Sequence, residues 1–212
     1  MGAGVLLVVI LLALYIGLYL TNASGAATAT PDTSGGTQLY LATVAAAEPN
    51  DVHPTWVSYY AVNSGLTQWR HDTTYIMPAH SVVHITIYQF DTPTGLRNGF
   101  ISQATGTIGN TFLLNGKTTQ AINPDDASHI FAIPEMGVSV PLKGADPNAK
   151  NLCSNAPCSL SDAHQTISFA IRTPGPGLYR WQCYVPCGAG FIQGLGGPMQ
   201  TVGYMDGFIK VV

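Results

Sequence analysis

His80–Phe90 reads HSVVHITIYQF, and this stretch decides the fold. Val83, Ile85 and Ile87 fall on one side and His84, Thr86 and Tyr88 on the other, with β-branched residues at the apolar positions. A period of two marks a strand laid half-buried on a core, whereas a helix repeats its apolar positions every 3.6 residues. Similar short strands are predicted at Gln38–Val44, Ile130–Ile133, Ile167–Arg172, Leu178–Tyr184 and Gly207–Val212. Turn clusters separate them, at Asn63-Ser64-Gly65, Thr94-Gly95, Asn115-Gly116 and Pro174-Gly175-Pro176-Gly177. After residue 40 no stretch sustains a helical period, and no internal repeat is visible. The class is all-β, a β-sandwich or Greek-key barrel.

Outward from these strands, residues 38–212 form the predicted domain, long enough for a real core. Residues 22–37 (NASGAATATPDTSGGT) are small and polar and read as a flexible tether. Residues 1–21 read as a transmembrane anchor, because Gly2–Leu20 (GAGVLLVVILLALYIGLYL) carries no charge and a helix of that length would span a bilayer. A cleaved signal peptide is the competing reading; the small residues that follow suit it, but the missing basic n-region does not.

Lys and Arg number 8 and Asp and Glu 11, so charged residues make up 9% of the chain and the net charge is −3. That balance excludes a basic nucleic-acid interface. With 46% hydrophobic residues the chain is not disordered. So sparse a charge suits a domain held at a membrane, partly covered by a partner.

The four cysteines form two close pairs. Cys153 and Cys158 lie in a loop-like stretch, NLCSNAPCSLSD, and read as a local disulfide; a metal role with His164 would still need a fourth ligand. Cys183 and Cys187 lie in GLYRWQCYVPCGAG, where an apolar strand runs into a glycine-bearing loop. Thiolates there suit copper when an imidazole joins them, and without metal the pair could close a disulfide. His80 and His84 share a strand face but stand about 13 Å apart, too far for one metal. Asp125-Asp126 is placed to fix the His129 imidazole by a hydrogen bond. No nucleophile elbow, His-Glu-x-x-His or phosphate-binding loop occurs.

In order along the chain, four segments resemble subunit II of haem–copper respiratory oxidases, whose external cupredoxin domain carries the dinuclear CuA centre. They are PAHSVVHITI (78–87), DASHIFAIPEMG (126–137), YRWQCYVPCG (179–188) and MDGFIKV (205–211), with an unmatched insert at about 91–125. The resemblance implies a cupredoxin-like Greek-key β-sandwich with one N-terminal transmembrane helix. It would make His129 an imidazole ligand, Cys183 and Cys187 bridging thiolates, the Val185 carbonyl a weak ligand and Met205 an axial thioether, with Met199 as an alternative. The sequence departs where the family has its second histidine, a position held here by Phe191, and Gly194 stands where a methionine follows. One imidazole cannot complete two copper ions, so the expectation is one copper ion or none.

The function so implied is a subunit II-like component of a terminal oxidase or related respiratory complex, structural rather than an enzyme by itself. It would pack on a catalytic subunit, single-pass in the cell membrane, with its domain on the extracytoplasmic side. The alternative is a free-standing membrane-anchored copper protein that carries single electrons or copper through a mononuclear Cys/His/Met site. A third reading is a surface adhesion or assembly module that keeps only the fold.

Overall fold

Val83, Ile85 and Ile87 are fully buried, as the alternation in their strand requires. That strand is central in a computed structural model that describes residues 2–15, 25–31, 36–46, 56–96, 98–185, 187 and 197–212. In chain order the strands are β1 (Ala26–Thr28), β2 (Thr30–Pro31), β3 (Thr37–Val44), β4 (Ser58–Val62), β5 (Trp69–Arg70), β6 (Thr74–Met77) and β7 (Val82–Gln89). They continue as β8 (Phe112–Leu114), β9 (Lys117–Thr119), β10 (Ala127–Ile133), β11 (Val138–Lys143), β12 (Gln165–Arg172), β13 (Gly177–Gln182) and β14 (Asp206–Val211).

One sheet runs β5-β4-β3-β7-β12-β8-β9 with β2 paired to β3, and the other runs β1-β6-β14-β13-β10-β11. Both are mixed: β3–β7, β1–β6 and β6–β14 are parallel, and the other pairs are antiparallel. The inward face of β7 meets the second sheet across a core that includes Tyr59, Phe131, Ile133, Trp181 and Ile209. Tyr88 points the opposite way yet is also buried, because Trp56, Leu66, Phe90, Cys158 and Tyr204 form a second apolar cluster over that end of the sheet. The alternation therefore names the core face correctly but misses a cover supplied by distant segments.

The insert at 91–125 closes one side of the sandwich. Its β8–β9 hairpin, turned at Asn115-Gly116 with both residues at positive φ, adds to the β12 edge of one sheet. Thr105 bridges Ser139 on the β11 edge of the other sheet. At Gly106, whose φ is +70°, an added methyl would overlap the Gly137 carbonyl, so the close approach needs glycine.

Gly207 is tighter still, since a methyl there would overlap the Thr73 carbonyl and the Trp181 indole. Gly207→Ala is expected to cost about 3 kcal/mol by overpacking and to lower Tm by roughly 6–12 °C in a thermal melt. A melt unchanged within 2 °C would show that β6 and β14 can separate without penalty.

The N-terminal expectations need correction. The helix α1 spans Gly2–Tyr15, 14 residues, and rises about 21 Å, short of the roughly 30 Å of a hydrocarbon core. Among the described residues no helix is long and apolar enough to cross a membrane. Residues 16–20 of the expected span lie outside the described residues. The described residues therefore form a mixed β-sheet sandwich, and none of their helices is the expected transmembrane helix. The single-pass topology, the cell-membrane location and the membrane as a partner all rested on that span and fall with it. Part of the expected tether is ordered: β1 joins β6 and β2 joins β3, so residues 26–31 stitch the two sheets together. Small residues permit this, since Ala27 and Ala29 fit into buried positions.

Candidate metal centre

His129 sits near the start of β10, a strand whose seven residues are all buried. A register shift between Ala127 and His129 opposite β11 marks an irregularity where the side chain leaves the regular pleat. β10 pairs with β13 at Ala132–Gln182, and Cys183 follows directly after β13. The Cys183 N–H donates to the Met205 carbonyl at 3.0 Å, one residue before β14 begins. The loop that carries Cys187 and Met199 is thus closed at its base by a strand pair. Asp206 and Arg180 form a salt bridge across that pair, with Nε to Oδ1 at 2.9 Å.

Three ligand atoms converge there. His129 Nδ1 lies 3.1 Å from Cys187 Sγ and 3.9 Å from Cys183 Sγ, and the two sulfurs are 3.2 Å apart. Exposure is 1% for His129, 0% for Cys183 and 4% for Cys187. These three residues form a single mononuclear cluster, and among the described residues no dinuclear site is present. Tetrahedral sites with metal–sulfur bonds near 2.3 Å hold their sulfurs about 3.8 Å apart, so an ion would enter with a displacement of a few tenths of an ångström. Two thiolates and an imidazole are donors that copper favours, and the chemistry of the set fits that ion. The thiols are free, and their separation is well beyond a bonded disulfide.

Electrostatics make the two cysteines unlike. Burial alone would raise the Cys183 thiol, but hydrogen bonds from Cys187 and His129, together with the Ile130 N–H at 3.4 Å, hold it well below an ordinary thiol. Cys187 is pushed far up by its hydrogen bond to Cys183 and by burial. Its thiol lies 2.9 Å from the Val185 carbonyl, which can accept a hydrogen bond from it. Burial would lower His129, yet hydrogen bonds to Asp91 and Cys183 outweigh it and raise its pKa to about 9. The shorter thiol contact of the imidazole is to Cys187, but of the two thiols it is Cys183, the stronger acid, whose charge joins Asp91 in steadying the imidazolium.

The expected ligands are placed as follows. The Val185 carbonyl reaches the thiols. Met199 Sδ accepts the Cys187 N–H at 3.3 Å, which sets that thioether beside the cluster. Met205 is fully buried and meets the site through its carbonyl. His164 is turned away, its ring packed on Tyr88 and Phe90 and its Nδ1 2.7 Å from the Asp162 carbonyl. Phe191 and Gly194 lie outside the described residues. Cys153 and Cys158 are joined by a disulfide with Cα atoms 5.9 Å apart.

The carboxylate that holds His129 is not the expected one. Asp126 pairs with Lys143 Nζ at 2.9 Å, while Asp91 Oδ2 lies 3.0 Å from His129 Nε2. The sequence carried no signal for Asp91 beyond its place just after the central strand, since 38 residues separate it from the histidine.

No protein-family model and no curated protein matches the chain. Among solved structures, rusticyanin, described as a copper protein, is similar at 15% identity over 95% of this chain and 94% of its own, with a TM-score of 0.36. For rusticyanin from Thiobacillus ferrooxidans the figures are 15% identity, 90% and 85% coverage, and a TM-score of 0.36. Auracyanin B is similar at 17% identity over 91% of this chain and 99% of its own, with a TM-score of 0.26. Likeness of this degree assigns no family. The reading as a membrane-anchored oxidase subunit II packed on a catalytic subunit is overturned: among the described residues no helix is long and apolar enough to cross a membrane.

Proposed function

We propose that the chain is a cupredoxin-like protein that holds one copper ion between His129, Cys183 and Cys187 and exchanges single electrons through it. The observation that carries the reading is the convergence of three buried ligand atoms, all within 4.8 Å of one another. Copper bound there supplies a one-electron couple. Cys183, already held as the stronger acid, gives a thiolate without reorganisation. Cys187 releases its proton when the ion takes its place, and the Val185 carbonyl stays as a weak neighbour. The fourth donor is the Met199 or Met205 thioether. Burial of His129, Cys183 and Cys187 favours electron exchange over copper delivery, because a buried ion is held in place rather than handed on.

The test is the metal content of thiol-reduced protein with its optical spectrum. One copper per chain and a thiolate-to-copper absorption band are expected on adding Cu(II). Colourless protein with a Cys183–Cys187 disulfide, or two coppers per chain, would overturn the reading.

A further inference from the structure

The described ligands of the cluster are almost sealed from solvent, and the Asp91 side chain reaches His129 from a more exposed position. Its side chain is 18% exposed and that of His129 is 2%. Asp91 is also held firmly. Oδ1 accepts the Thr92 N–H at 2.7 Å, and its carbonyl accepts the Ala145 N–H at 2.9 Å. The segment behind it is zipped down, since the Thr94 and Gly95 N–H groups both donate to the Ala127 carbonyl at 2.9 Å. Gly144 packs against Pro93 so closely that a methyl would overlap the proline nitrogen. The carboxylate is therefore a fixed partner of the imidazole and not a passing one.

Two consequences follow from where its oxygen lies. With Oδ2 taking Nε2–H, the lone pair of the neutral imidazole sits on Nδ1, the nitrogen 3.1 Å from Cys187 Sγ. The carboxylate also sets a negative charge directly behind the imidazole, in a buried place where charge is weakly screened. A negative charge near a metal favours its higher oxidation state.

We propose that Asp91 is the positioning residue of the metal centre: it turns His129 so that Nδ1 faces the two thiols, and its charge favours the oxidised form of the bound copper. This rests on the single-copper reading for its second half alone. The first half concerns the protein without metal.

Asp91→Asn keeps an acceptor for Nε2–H and removes the charge, whereas Asp91→Ala removes both. In copper-loaded protein poised with a redox mediator, Asp91→Asn is expected to raise the Cu(I)/Cu(II) ratio at a fixed potential about tenfold, a shift of about 59 mV. Asp91→Ala is expected to weaken copper binding about 10–100-fold. Asp126→Asn, which removes a carboxylate paired with Lys143, serves as a control and should shift the ratio less than twofold. An Asp91→Asn shift no larger than that of the control would overturn the redox role. In metal-free reduced protein, 15N NMR of His129 is expected to show a hydrogen-bonded Nε2–H that is lost in Asp91→Ala. Unchanged His129 resonances in that variant would overturn the positioning role, even if the wild type binds no copper. A wild type that binds no copper while its resonances respond to Asp91→Ala would sink the copper reading and the redox role with it, and leave the positioning role standing.

Discussion

Cys183→Ser is expected to weaken copper binding by more than about a hundredfold, measured by competition with a Cu(I) chelator. A side chain that only hydrogen-bonds a metal ligand is worth up to about that factor, and a ligand lost outright costs more. Cys183 is fully buried and its sulfur is the one that the Ile130 N–H reaches, so it carries the charge a metal ion meets first. Serine keeps a hydrogen-bonding atom of similar size in that place. It offers a hard hydroxyl, which ionises far less readily than the thiol and does not suit copper. The fold is therefore expected to survive, with a melt close to that of the wild type, while binding collapses. Cys187→Ser is expected to be harmful but less so, because the Cys187 thiol must first lose a proton that its surroundings hold tightly. Equal affinity for wild type and Cys183→Ser would place the ion elsewhere.

Trp181→Ala is expected to destabilise the protein by about 3–5 kcal/mol, a fall in Tm of roughly 6–20 °C. Trp181 is fully buried at the centre of the core. Its ring meets Tyr59 edge-on at 4.7 Å and stacks with Tyr75 and Phe131, each at 5.6 Å. Its Nε1–H donates to the Thr73 carbonyl at 2.8 Å, the atom that also receives the Phe208 N–H. Truncation would leave a cavity between the two sheets just below the metal loop, since Cys183 follows two residues later on the same face of the chain. Trp181→Phe, which keeps a ring and loses the hydrogen bond, should cost clearly less. A loss below 1 kcal/mol for the alanine variant, from denaturant titration, would mean the core closes over the space.

Several elements were legible in the sequence because their signal is local. β7 was read from the alternation of Val83, Ile85 and Ile87, and the Asn115-Gly116 turn from residues that tolerate positive φ. β10 was read short, as Ile130–Ile133, because Ala127, Ser128 and His129 are buried without alternating. β13 was read long, to Tyr184, although the chain turns into the metal loop after Gln182. β4 was missed: SYYAV is buried on both sides and shows no period. The N-terminal apolar run was read as a full membrane span, and the described helix is shorter than that reading needs.

By itself the sequence determined the strand-rich class and the kinds of ligand atom available, because side-chain alternation and donor chemistry belong to single residues and their near neighbours. The tertiary structure decided which of those atoms meet. Cys187 reaches His129 across 58 residues and Asp91 reaches it across 38, through pairings between strands that no local pattern encodes. The same pairings left His164 against Tyr88 and Phe90 and gave Asp126 to Lys143. Proximity of this kind arises only when two sheets close on a shared core, and that closure selected one imidazole, two thiols and one carboxylate from all the groups the sequence offered.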